Sequence, residues 1–248
     1  MRKIYISEMD PKAHSLAQKW GTGVETIAFC QAEIMENEGM IEAKKAQLAP
    51  FSPLSFHAPY YELTPCAIDS LIGRVSLQRY RQAVQTCALL GIKRMVVHSG
   101  FAPQVYYPQW FVPKSIAFWK NFAPELPEGF ELVLENVLDP VPRHLLDVVE
   151  GVNDGHVGIC LDVGHANCYS EVPVAEWIRT FGSLIKHVHL HSNDGTCDMH
   201  APLAEGTLDM PGTLGKLIQY APQADWCIEC TDAEACLTYL QKEGYIDV

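Results

Sequence analysis

With 248 residues, 48% of them hydrophobic, the chain can bury one large core, a length that suits one α/β domain or two small ones. Its formal net charge of -12 offers no basic stripe for nucleic acid or an acidic membrane surface, although bound metal could supply positive potential locally. Nine scattered cysteines, no apolar leader after Met1 and no run near the ~18 apolar residues of a membrane span together predict a cytoplasmic protein with no membrane partner.

Short apolar runs alternate with amphipathic stretches along the whole chain. Strands are predicted over 3–7, 24–30, 53–58, 94–98, 131–135, 158–162, 186–191 and 225–229. The clearest helix covers 77–90 and is closed by Gly91; others begin near Pro11, Met40, Pro113, Pro142, Pro173, Pro211 and Asp232. Eight strands alternating with eight helices predict a parallel sheet with right-handed crossovers. At this length the natural closure is the (β/α)8 (TIM) barrel, and a doubly wound sheet comes second because no Gly-rich turn follows the first strand. No linker or repeat divides the chain, so one domain over 1–248 is expected.

The stretch Cys160-Leu161-Asp162-Val163-Gly164-His165-Ala166 runs as a strand and is expected to break at Gly164, leaving a carboxylate and an imidazole at its end. A carboxylate buried without a partner is costly. Asp162 therefore either caps the next helix or binds a cation. The neighbouring strands favour the cation. His57 closes the third predicted strand, His98 the fourth, Glu135 the fifth, Asp162 the sixth and Glu229 the eighth, while His187, His189 and His191 share one face of the seventh. In a barrel of this kind all these ends meet on one rim, where active sites sit. Six successive strands ending in His, Asp or Glu exceed what packing explains, because charged groups are seldom buried. In the loop after strand seven, Asp198 and His200 can reach one ion, and with His165 they form a three-residue site of the kind catalytic zinc uses.

Smaller features remain open. The aromatic loop 101–111, with Tyr106, Tyr107 and Trp110, either stacks on a substrate ring or packs on the rim. The pair Cys227 and Cys230 is a weak redox or zinc signal without a second pair. Glu205 either orients His200 or is an ordinary loop carboxylate, and His187 and His191 either line the pocket or stand in for His189.

The segments 158–166 and 198–206 resemble the endonuclease IV branch (AP endonuclease family 2) of the xylose isomerase-like TIM barrels, and the resemblance covers about residues 53–231. It implies a trinuclear zinc cluster. His57, His98 and Glu135 would hold one ion; Glu135 would bridge to a second held by Asp162, His189 and Glu229; His165, Asp198 and His200 would hold the third. The activity it implies is phosphoester hydrolysis by a metal-bridging hydroxide, and Tyr60 falls where that branch places a DNA-contacting tyrosine. DNA is disfavoured as the substrate, since the rim loop 31–39 is acidic and DNA affinity comes from Lys and Arg. A small phosphorylated or sugar-like substrate is expected instead, contacted by Tyr60, Tyr106, Tyr107, Trp110 and His191.

The alternative is the sister branch of sugar or sugar-phosphate isomerases and epimerases. That branch needs only Glu135, Asp162, His189 and Glu229 around one Mn or Mg, with Glu135 and Glu229 as the catalytic acid/base pair. The five further donors tilt the sequence reading towards the hydrolase.

Overall fold

Strands buried on both faces read as short continuous apolar runs, and that is how the wall of this molecule is built. In the computed structural model of the chain, which describes residues 2–246, eight parallel strands close into a barrel in sequence order, each paired with its neighbours and the last with the first. They are β1 (Ile4–Ser7), β2 (Gly23–Thr26), β3 (Leu54–His57), β4 (Arg94–His98), β5 (Glu131–Glu135), β6 (Val157–Asp162), β7 (Ile185–Leu190) and β8 (Asp225–Ile228). The second is shorter than expected, because Cys30 N–H bonds to the Ile27 carbonyl and turns the chain away from the wall.

Among the described residues the connections carry α1 (Ala13–Trp20), α2 (Glu38–Leu48), α3 (Ser70–Leu90), α4 (Pro108–Phe122), α5 (Pro142–Val152), α6 (Val163–Tyr169), α7 (Val174–Phe181), α8 (Met210–Tyr220) and α9 (Ala233–Lys242). The expected eight become nine because two helices join β6 to β7. Asp69, whose side chain accepts the Leu71 N–H, starts α3 a full two turns earlier than the sequence suggested. At its other end Gly91 takes the left-handed conformation expected of it, with φ of 74°. The start of α4 also moves forward, from Pro113 to Pro108. None of the helices among the described residues is long and apolar enough to cross a membrane.

The main apolar core fills the layer between wall and helices, with Trp119, Trp177, Trp226 and Phe56 among its largest members. The barrel interior is different. Alternation sends every second side chain inward, and the apolar contribution there is a small separate cluster of Val96, Val133 and Cys160. Above and below that cluster the inward positions are polar. The register sets His98 beside Glu135 and Asp162 beside His189, so the wall itself brings distant residues together at the mouth.

Candidate metal centre

His57, His98, Glu135 and Asp162 are the last residues of β3, β4, β5 and β6; His189 is the penultimate residue of β7, and Glu229 follows the end of β8. Glu135, Asp162 and His189 are fully buried, and Glu229 is nearly so. The donor atoms of Glu135, Asp162, His189 and Glu229 lie within 4.8 Å of one another, and so do those of two flanking groups, His57–His98–Glu135 and His165–Asp198–His200. The fold thus gathers all nine positions singled out from the sequence.

The hydrogen bonds show what such groups could hold. The Nδ1 of His57 lies 3.0 Å from the Ala58 carbonyl, that of His165 3.0 Å from the Asn136 carbonyl, and that of His200 2.8 Å from the Glu229 carbonyl. A carbonyl only accepts, so each ring donates its Nδ1–H and turns its Nε2 towards a carboxylate. Nε2 of His57 and of His98 lie 3.3 Å and 3.6 Å from Glu135 Oε2; Nε2 of His165 and of His200 lie 3.2 Å and 2.9 Å from Asp198 Oδ2. A lone pair facing a carboxylate is repulsive unless a proton or a metal ion sits between them. Moreover, Glu135 Oε2 and Asp198 Oδ1 are buried without a hydrogen-bond partner, and separations of roughly 3.3 Å match the edge of a tetrahedron around zinc with bonds of about 2.0–2.1 Å. The residues present therefore fit a metal, and imidazole with carboxylate suits zinc or manganese.

Without a metal the cluster holds protons: although burial opposes charge, the groups around them raise His57, His165 and His189 well above the ordinary imidazole range. Burial pushes the Glu135 carboxyl up, but His189 beside it holds it well below the usual carboxylate range. Asp162 behaves likewise through His165 and His191. Burial drives His98 down to about 3, so its ring is neutral and ready to ligate. For His200 burial opposes charge, yet Asp198 carries it up to about 9. A proton there fills the place a metal ion would take. His200 also holds a left-handed backbone, with φ of 47°, a strained conformation of the kind that persists where surrounding contacts enforce it.

The sequence posed cap and ligand as alternatives for Asp162, and the structure combines them. Its Oδ1 accepts the His165 N–H and the His191 Nε2–H, at 2.6 Å and 3.0 Å, capping α6, while Oδ2 lies 3.1 Å from the same His191 Nε2 and 3.7 Å from His189 Nδ1. Gly164 does not break the chain; it sits inside α6, where a Cβ would fall 2.0 Å from the His191 ring. His191 is fully buried and stacks on His200 with ring centroids 4.0 Å apart. Gly164→Ala should therefore displace His191 from Asp162 and cost about 1–3 kcal/mol by overpacking, a loss that chemical denaturation would read directly.

Other expectations shift. Glu205 is exposed, and the Glu229 carbonyl takes the part foreseen for it at His200. His187 lies below the mouth, bonded to Glu25 and Arg94. Cys230 faces Cys236 at 3.1 Å, while Cys227 belongs to the Glu25 group, so Cys227 and Cys230 form no pair. Tyr60 stacks on His98 with centroids 4.5 Å apart, Tyr106 is half-buried, and Tyr107 and Trp110 open to solvent. Two contributors escaped the sequence reading: Asn136, whose amide clamps the backbone of Asp162 at both N–H and carbonyl, and Glu25.

The family model described as "Xylose isomerase-like TIM barrel" matches residues 16–243. The chain belongs to this family. Among its relatives is MJ1311 of Methanocaldococcus jannaschii, 30% identical over 172 residues, which are 65% of this chain and 58% of that one. The match thus spans less than two thirds of that relative. The TTHB071 protein from Thermus thermophilus, solved after soaking with ZnCl2, is 26% identical, with a TM-score of 0.81 over 99% of this chain and 100% of that one. A D-tagatose 3-epimerase-like protein is 21% identical, with a TM-score of 0.76 over 98% and 96%, a likeness of fold.

Proposed function

We propose that this xylose isomerase-like barrel is a metal-dependent isomerase or epimerase of a sugar or sugar-phosphate substrate, with Glu135 and Glu229 as its acid/base pair. The observation that carries the reading is the meeting of Glu135 Oε1 and Glu229 Oε2 on one atom, His189 Nδ1, at 3.1 Å and 3.0 Å. Two carboxylates flanking one ligand nitrogen at the barrel mouth suit removal of a proton from one side of a carbon and its return. The likeness to an epimerase-like protein supports the same chemistry.

Glu135, Asp162, His189 and Glu229 would hold the metal, which when bound polarises a carbonyl and its neighbouring hydroxyl. Glu135 and Glu229 are the two carboxylates that reach the same ligand nitrogen, so one would take the proton from carbon and the other return it. Asp162 is fixed by three protein donors, the Asn136 amide on its carbonyl and the His165 N–H and His191 Nε2–H on its carboxylate, and serves as an anchor. Tyr60, on His98, offers a face for a sugar ring. Exposed Glu33, Glu36 and Glu38 on the rim disfavour a duplex DNA partner and favour a small substrate. The nine cysteines are all free thiols, which fits a reducing cytoplasm.

The two flanking triads favour a second reading. An isomerase needs one ion, whereas His57–His98–Glu135 and His165–Asp198–His200 provide places for two more, as a phosphoester hydrolase of the endonuclease IV kind with up to three zinc ions requires. Incubation with a panel of ketoses and ketose phosphates in D2O separates them. Deuterium entering at the carbon beside the carbonyl, with about one Mn, Mg or Zn per chain, is the expected result. Three zinc ions per chain with cleavage of a generic phosphodiester, and no deuterium uptake, would reverse the order of the two readings.

A further inference from the structure

Below the mouth, the barrel interior holds a line of polar groups that ends on His189. At its base Arg94 bonds through NH1 to Asp225 Oδ2 at 2.9 Å and through NH2 to Glu131 Oε2 at 2.7 Å. The same NH1 lies 3.2 Å from His187 Nδ1. A guanidinium has donors and no acceptor, so His187 Nδ1 must carry the lone pair and its Nε2 the proton. That proton points at Glu25 Oε2, 2.9 Å away, which also accepts from Ser55 Oγ at 2.8 Å. The other oxygen, Oε1, lies 3.0 Å from His189 Nε2 but at too bent an angle for a hydrogen bond, so these two buried atoms face each other with no hydrogen-bond partner among the described residues. Glu25, His187, His189 and Cys227 hold donor atoms close enough for an ion of their own. The direction of each proton assigns them a different task.

We propose that Glu25 is a positioning residue that selects the metal-facing nitrogen of His189, while Arg94 sets only the tautomer of the neighbouring His187. As an ionised carboxylate, Glu25 offers an acceptor oxygen to the Nε2–H of each ring. His189 then carries its proton on Nε2 and presents the Nδ1 lone pair towards Glu135, Asp162 and Glu229. The inference rests on the quartet holding a metal, as the proposed function requires.

Glutamine at position 25 tests it with almost no change of shape. Its amide has one acceptor and one donor face. His187 cannot invert, because Arg94 denies its Nδ1 a proton, so the amide oxygen must face His187 and the NH2 must face His189. His189 would then need its lone pair on Nε2 and a proton on Nδ1, where the metal belongs. Titrating metal-free protein with Zn or Mn against a competing chelator should show Glu25→Gln binding about 10–100-fold more weakly than wild type at the quartet. His187→Leu alone should bind as wild type does. Glu25→Gln combined with His187→Leu should recover affinity, because the amide is then free to turn its oxygen towards His189. Wild-type affinity in Glu25→Gln, or no recovery in the double variant, would overturn the inference. A wild type that binds no divalent ion would overturn the metal reading beneath it, so the two failures are distinguishable. A 15N–1H spectrum of zinc-loaded wild type needs no variant: a proton on Nε2 of His189 is expected, and one on Nδ1 would overturn the proposal.

Discussion

Replacing Glu135 by glutamine should remove metal and turnover together. Its two oxygens face different partners: Oε1 lies 3.1 Å from His189 Nδ1, and Oε2 lies 3.3 Å and 3.6 Å from the Nε2 atoms of His57 and His98. The side chain is thus shared by two donor groups, and it is fully buried, so water cannot substitute for a lost oxygen. An amide NH2 on either side would hydrogen-bond to an imidazole lone pair and occupy the place of the ion. Glu135→Gln should lower kcat about 10²–10⁴-fold on whatever substrate the wild type turns over, with a fall in bound metal measured by elemental analysis. Glu229→Gln should match the loss of turnover. Full metal content and activity in Glu135→Gln would contradict its place between the two groups.

The second large effect concerns stability. Arg94→Met should cost about 3–5 kcal/mol, the usual penalty for leaving one member of a buried ion pair behind. Arg94 and Asp225 are both close to fully buried, and Arg94 alone ties the first residues of β4, β5 and β8 at the floor of the barrel. Glu131 is partly exposed and can be rehydrated, so the uncompensated charge is that of Asp225. For a chain of this size a loss of that order lowers Tm by roughly 10 °C. Arg94→Met combined with Asp225→Asn should regain part of it, since the amide needs no counter-charge and keeps an oxygen for the Lys3 N–H. A single variant as stable as the wild type in urea would show that the floor contributes little.

How much was legible in the sequence follows from where each signal lies. Strand ends were readable because a polar residue closing an apolar run is conspicuous, and His57, His98, Glu135 and Asp162 each stand at such an end. The closure of the barrel followed from alternation and length. Glu25 was missed because it stands inside its strand, in Gly23-Val24-Glu25-Thr26, and the predicted strand ran on to Cys30. A carboxylate at an inward position is itself the sign of a second polar layer. The part played by His191 depends on a ring lying over Gly164, a contact between residues far apart in the chain with no local signature. The early start of α3 was hidden for a related reason. Its first turns expose Leu71, Ile72 and Val75, so the amphipathic pattern that reveals a helix is absent there. The choice between isomerase and hydrolase was drawn from a donor count, which cannot tell resident ligands from groups that position them.

The central claim is that the mouth of the barrel is a metal centre built on Glu135, Asp162, His189 and Glu229. Anomalous scattering from crystals grown with Mn or Zn tests it most directly. The predicted result is a peak among the four side chains, bonded to His189 through Nδ1, with weaker peaks or none at the two flanking triads. Three peaks of equal strength would move the function to phosphoester hydrolysis, and no peak within the quartet would contradict the claim.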